Sequence, residues 1–226
     1  MKQFSIILSA ALILISSYTF AGGDKDGDSF TGTIKFKISA EGREITPTEQ
    51  SQMPSEITEY HLGNMVRKDI VSPMYTISTI TNNETKDVIM LFDLPMMGKK
   101  VYMKKSGKEI EDAKKEAKDS LDTESKVEIL EGTKTIAGYT CSKAKLVNGD
   151  NSVTIYYTKD INAKSEEFEE IDGYPLYYVT SVPQDEELEL VYSATEVITK
   201  KPKKKMFSIP SDFTEMTAEE KKMFGM

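Results

Sequence analysis

One imidazole and one thiol, His61 and Cys141, are all that the 226-residue chain offers of the side chains most used as base and nucleophile. They stand in different segments, and no spacing rule brings them together. A single cysteine excludes an intrachain disulfide and any cysteine-based zinc or iron–sulfur centre, and a single histidine excludes a multi-histidine metal site. Cys141 is therefore expected on a strand, buried, behaving as a small hydrophobe. No G-x-S-x-G elbow, phosphate-binding P-loop or H-E-x-x-H pair is present. The 37 acidic residues guarantee chance carboxylate pairs, and Glu166, Glu167, Glu169 and Glu170 read as a solvated charged face. Asp24, Asp26 and Asp28 resemble the opening of a calcium loop, but the pattern fails at Ser29, where glycine is needed, and at Lys35, where glutamate is needed. Asn83-Glu84-Thr85 matches a short glycosylation sequon that presumes a eukaryotic secretory route. The expectation is a protein that is not an enzyme and carries no metal or cofactor.

Binding chemistry is better represented. Of the 12 methionines, Met90, Met96, Met97 and Met103 gather around one loop and its flanking strands. Flexible thioethers suit a surface that adapts to apolar ligands, they fill core gaps equally well, and they are soft enough for copper(I). The basic run at residues 200–205, broken by Pro202, suits anionic headgroups or an acidic partner. Its plainer reading is a solvated strand end, because proline stops regular pairing.

With 29 basic against 37 acidic residues the net charge is −8, and a pI near 5.0 argues against nucleic acid as a partner. The start Met1-Lys2-Gln3, the apolar run at residues 4–15 and the small residues Thr19 and Ala21 have the order and polarity of a secretory signal peptide cleaved between Ala21 and Gly22. The apolar run falls short of the roughly 20 residues that span a bilayer. No cysteine follows the cleavage point to accept a lipid, so a periplasmic or secreted product without a transmembrane segment is expected. Residues 22–29 read as a flexible lead-in and residues 30–226 as one domain.

The elements that must position these groups are mostly strands. Phe30, Ile34, Phe36 and Ile38 share one parity, which predicts a strand with one buried face. Further strands are predicted at 57–62 and 65–71, around a Gly63-Asn64 turn, and at 75–80, 88–94, 101–104, 127–130, 139–147, 153–158, 174–182 and 188–199. Gly149-Asp150 suggests another hairpin turn. Residues 108–121 have helical spacing with a narrow apolar stripe, residues 164–170 form a charged turn or short helix, and Thr217 with Glu220 forms a capping box. About ten strands without βαβ alternation make a predominantly antiparallel domain.

The run Thr133-Lys134-Thr135-Ile136-Ala137-Gly138-Tyr139-Thr140-Cys141 resembles a signature of a secreted Gram-negative domain family without an assigned function, and is similar to the neighbouring GLPGLI family. Ile155-Tyr156-Tyr157-Thr158, Gly173-Tyr174-Pro175-Leu176 and Phe207-Ser208-Ile209-Pro210 continue it. The resemblance implies a mainly β (α+β) fold like the LolA and LolB carriers: one curved antiparallel sheet forming an open half-barrel, with a few short helices across its mouth. It brings no catalytic residues. The expectation is an envelope protein binding a lipid, an acyl chain or another apolar ligand in the concave sheet, or else an interaction module with a filled core. The expected partners are a lipid or lipoprotein acyl chain, or an envelope protein. Phe36 and Met90 are expected to face that ligand from inside, with Met96 and Met97 nearer the mouth and Met103 among the methionines that supply an adaptable rim.

Overall fold

The structure is a computed structural model, and it describes residues 29–118, 126–148, 151–165, 167–182 and 185–224. The expected signal peptide, the aspartates at 24, 26 and 28, the expected Gly149-Asp150 turn and Glu166 lie outside the described residues.

Twelve strands form one sheet. They are β1 (Gly32–Glu41), β2 (Glu56–Leu62), β3 (Met65–Val71), β4 (Thr76–Asn82), β5 (Val88–Leu94), β6 (Lys99–Lys105), β7 (Lys126–Ile136), β8 (Tyr139–Asn148), β9 (Asn151–Thr158), β10 (Tyr174–Val182), β11 (Asp185–Ile198) and β12 (Thr214–Glu215). Their order is β12-β6-β5-β4-β3-β2-β1-β11-β10-β9-β8-β7, so the sheet is open and ends at β12 and β7. Every pairing is antiparallel except that of β12 with β6. Two meanders are thus welded at the centre by the first strand and the last long one, β1 on β11. The mainly β, open antiparallel architecture is the one expected.

Among the described residues three α-helices accompany the sheet: α1 (Pro47–Gln52), α2 (Gly107–Lys118) and α3 (Ala218–Met223). α1 was not expected, although Thr46 and Glu49 close a complete capping box with Pro47 in the first turn. The described residues of 159–173 form an irregular loop without a helix, contrary to one of the two forms expected for 164–170. The Ala137-Gly138 pair at the heart of the family-like signature is a two-residue hairpin turn between β7 and β8. Both residues have positive φ, 48° and 87°, as the tight turn that matches strand twist requires.

Most apolar positions lie on one face of the sheet, the inner one, while Ile80 and Leu91 are buried on the other. Ile34, Phe36 and Ile38 are at most 6% exposed, and their register partners Ile57, Ala194 and Tyr192 are buried with them. Two clusters divide this inner face. The larger lies on β1–β3 and β7–β11 and is closed over by Ile161, Phe168 and Ile171 of the 159–173 loop. The smaller, Ile77, Val88, Met90, Phe92, Val101 and Met103 on β4–β6, is closed by Ile110 of α2, Met216 and Phe224, whose ring sits 5.5 Å from Phe92. The opposite, outer face of β3–β6 is crossed by residues 199–213. This strap is fixed by Arg67, which donates from Nη1 to the Met206 carbonyl at 2.7 Å, and by a Lys100–Asp212 ion pair at 3.0 Å.

Candidate functional site

β2 and β3 pair without a bulge around the Gly63-Asn64 turn, which sets Glu59 directly against Lys68. Alternation then puts Ile57, Glu59, His61 and Lys68 on the inner face, so a strand that starts apolar carries charge into the core. Two further segments complete the cluster. Tyr174, the first residue of β10, donates its hydroxyl proton to Glu59 Oε2. The 159–173 loop brings Glu167 to 3.6 Å from Lys68 Nζ, which is also 3.6 Å from Glu59 Oε1.

The arrangement is graded from closed to open. His61 and Tyr174 are buried, Glu59 is nearly so, and the Lys68 and Glu167 side chains are 25% and 23% exposed at the rim. Burial pushes the Glu59 carboxyl up. The neighbouring His61 and Lys68 and the Tyr174 hydroxyl more than offset this and hold it at about 2, so it is an anion at neutral pH. Burial, with the Glu167 carboxylate nearby, drives the Tyr178 hydroxyl well above its ordinary range and keeps it neutral. His61 Nε2 lies 3.5 Å from Glu59 Oε2 and is buried with no hydrogen-bond partner among the described residues. A buried polar atom left unpaired is costly and calls for an explanation. Aromatic rings flank the site: Phe30 and Tyr174 meet the imidazole edge-on at 5.5 and 5.9 Å, and Phe168 and Tyr192 bracket Tyr178 at 4.8 and 4.4 Å. Fixed acceptors, an ammonium, hydroxyls and apolar ring faces around one spot suit a ligand bearing hydroxyl or amide groups. Among the described residues no three histidine, cysteine, aspartate or glutamate side chains gather to hold a metal ion.

The residues singled out from the sequence are distributed differently. Met90 and Met103 face each other across β5 and β6, 2% and 3% exposed, inside the smaller cluster. Phe36 lies in the larger cluster, so the structure does not bring it together with them. Met96 and Met97, on a 3-10 turn at Pro95–Met97, are exposed. Next to that turn, Asp93, Pro95, Gly98, Lys99, Lys100 and Asp212 line an open recess of about 550 Å³ of mixed polar and apolar character. Cys141 is buried in β8 as expected. Glu167 belongs to the acidic run read as solvated, but here it reaches the inner-face cluster.

Comparison with known proteins adds a direction. Residues 74–169 match the model of a family described as N-glycanase peptide, N-terminal domain. Among curated proteins, none matches the sequence. Two crystal forms of PNGF-II, in space groups C2 and P21, superpose with a TM-score of 0.51 at 16% identity, covering 87% of this chain and 32% and 34% of theirs. This chain therefore spans about a third of their length. A LolA superfamily protein from Nitrosomonas europaea aligns over 90% of this chain and 96% of its own, at 11% identity and a TM-score of 0.33.

These matches correct one expectation. The absence of a catalytic motif pointed away from an enzyme, whereas the family and structural matches are to an N-glycanase and point to an enzyme-related fold. Motif reasoning fails here for a physical reason. Groups that could do chemistry come from β2, β3, a loop and β10, and only the sheet pairing assembles them.

Proposed function

We propose that the chain is a glycan-handling domain of the N-glycanase type, exported by its N-terminal signal, and that its inner-face cluster receives a hydroxyl- and amide-bearing ligand. The observation that carries this reading is the cluster: an ionised Glu59, a buried His61 Nε2 that makes no hydrogen bond among the described residues, and a Lys68–Glu167 rim open to solvent, all on one face. Sugar and amide groups need donors and acceptors in fixed positions, and a site that holds such groups leaves them unpaired until the ligand arrives. The N-glycanase matches supply the ligand class. Titration calorimetry with an N-linked glycopeptide, the same peptide without glycan, and the released glycan tests it, with glycan release monitored in parallel. Binding of the glycosylated forms, weakened at least about tenfold by Lys68→Met or Glu167→Gln, is expected, since each removes a charged hydrogen-bonding partner. No binding of any glycosylated form by folded protein would refute the reading.

A second reading, an apolar ligand in the concave sheet, rests on Met96 and Met97, which are 75% and 54% exposed. Such a ligand would enter beside that turn and displace the side chains that fill the smaller cluster. Loss of hydrophobic-dye uptake in the Met96→Asp/Met97→Asp variant would support it, and unchanged uptake would remove it.

A further inference from the structure

Lys200, Lys201, Lys203, Lys204 and Lys205 put five positive charges into six residues of a chain whose net charge is −8. All five are exposed. None makes an ion pair among the described residues, whereas Lys35, Arg43, Lys99, Lys100 and Lys159 are each held by a carboxylate. The segment is also built. Pro202 restricts the backbone, and a 3-10 turn at Lys204–Phe207 follows at once. Met206 N donates to the Lys203 carbonyl at 3.0 Å, and Ser208 Oγ donates to the Lys205 carbonyl at 2.8 Å. Beneath them Arg67 grips the Met206 carbonyl while its own guanidinium is braced by Asp69 at 2.6 Å and by Ser78 at 3.2 Å. Met206 and Phe207 are half-buried on the sheet side, and the lysines point out.

We propose that this strap is a docking strip for an anionic membrane surface. Unneutralised like charges this close repel one another, and their field favours a partner carrying many anions. The residue choice indicates what kind. Both arginines described here, Arg43 and Arg67, are spent on internal carboxylates and carbonyls, while the strip is all lysine. Arginine is the residue for planar, bidentate recognition of a particular group, whereas lysine is a flexible point charge suited to diffuse attraction by many mobile headgroups. A nucleic-acid partner is disfavoured by the acidic remainder of the chain. An exported protein would meet anionic lipid in its envelope. The strip lies on the outer face, opposite the Glu59–Lys68 cluster, and its function does not depend on the glycan reading.

Flotation of the full chain with vesicles of mixed phosphatidylglycerol and phosphatidylcholine, against vesicles of phosphatidylcholine alone, tests the inference. Binding to the anionic vesicles is expected, released when salt rises from about 0.05 to about 0.5 M as screening shortens the field. In the variant with all five lysines changed to glutamine, and in Lys203→Gln/Lys204→Gln, retention beyond that on neutral vesicles should fall, by about a hundredfold in the former. Circular dichroism melting of each variant confirms that the fold is kept, and the double variant decides should the quintuple one melt early. Equal retention of wild type and folded variants would overturn the proposal. So would retention by polyglutamate beads with none by anionic vesicles, which would instead indicate an acidic protein partner.

Discussion

Glu59 is the residue on which the inner-face chemistry turns, and its titration makes it testable. Its folded-state pKa of about 2 lies below the ordinary value of 4.5, so ionised Glu59 stabilises the native state above pH 4.5, and that contribution is lost as pH falls from 4.5 toward 2. Urea melts across that range should show a steeper loss for wild type than for Glu59→Gln, and equal slopes would remove Glu59 as the cause. Phe36 tests the packing. It is 5% exposed within the larger cluster, and Phe36→Ala should cost roughly 3–5 kcal/mol by chemical denaturation. Burial raises the Cys141 thiol pKa and shields the sulfur, so native-state labelling should be slow and should speed up in denaturant. Parity made Phe36 legible in the sequence, and the frequent burial of cysteine made Cys141 so. The same parity held a signal that was not read: Glu59 and His61 lie two and four residues beyond the buried Ile57, on the same face. With a two-residue turn at Gly63-Asn64, Glu59 had to pair with Lys68. What no local pattern could reveal was Tyr174 and Glu167, brought in from more than a hundred residues away in sequence.

At the scale of elements, the loop that roofs the larger cluster depends on how it rejoins the sheet. Gly173 has φ of +153°, and a Cβ there would stand 2.6 Å from the Tyr157 ring and 2.8 Å from the Thr158 carbonyl. Gly173→Ala should therefore destabilise the protein by roughly 1–3 kcal/mol and increase proteolysis within 159–173. Unchanged stability would mean that the loop is not under this constraint. Thr217 accepts from Glu220 N, while the Glu220 carboxylate accepts from Thr217 N and pairs with Lys99 at 2.5 Å. The box was visible in the sequence, since it depends only on residues three apart. Its attachment to β6 was not, because β12 is two residues long and pairs parallel with a distant strand. Most strands with strong alternation were placed within a residue or two of their observed ends, while β11 begins three residues before the expected residue 188. β7 was underestimated, as an edge strand with few buried positions shows little alternation.

For the whole molecule, the pairing of β1 with β11 closes two meanders into a single open sheet whose inner face is roofed by a loop on one side and by two helices on the other. That enclosure makes the single histidine a reporter of the site. His61 is the only imidazole in the chain, so its ring gives one set of resonances, and Nε2 sits 3.5 Å from Glu59 with no hydrogen bond among the described residues, where a glycan group would bind. The most direct test is the His61 imidazole spectrum during titration with an N-linked glycopeptide and with the same peptide lacking its glycan. A saturable shift of the His61 signals with the glycosylated peptide alone is the expected result. Signals unmoved by the glycopeptide in folded protein would contradict the assignment of this cluster as a glycan site.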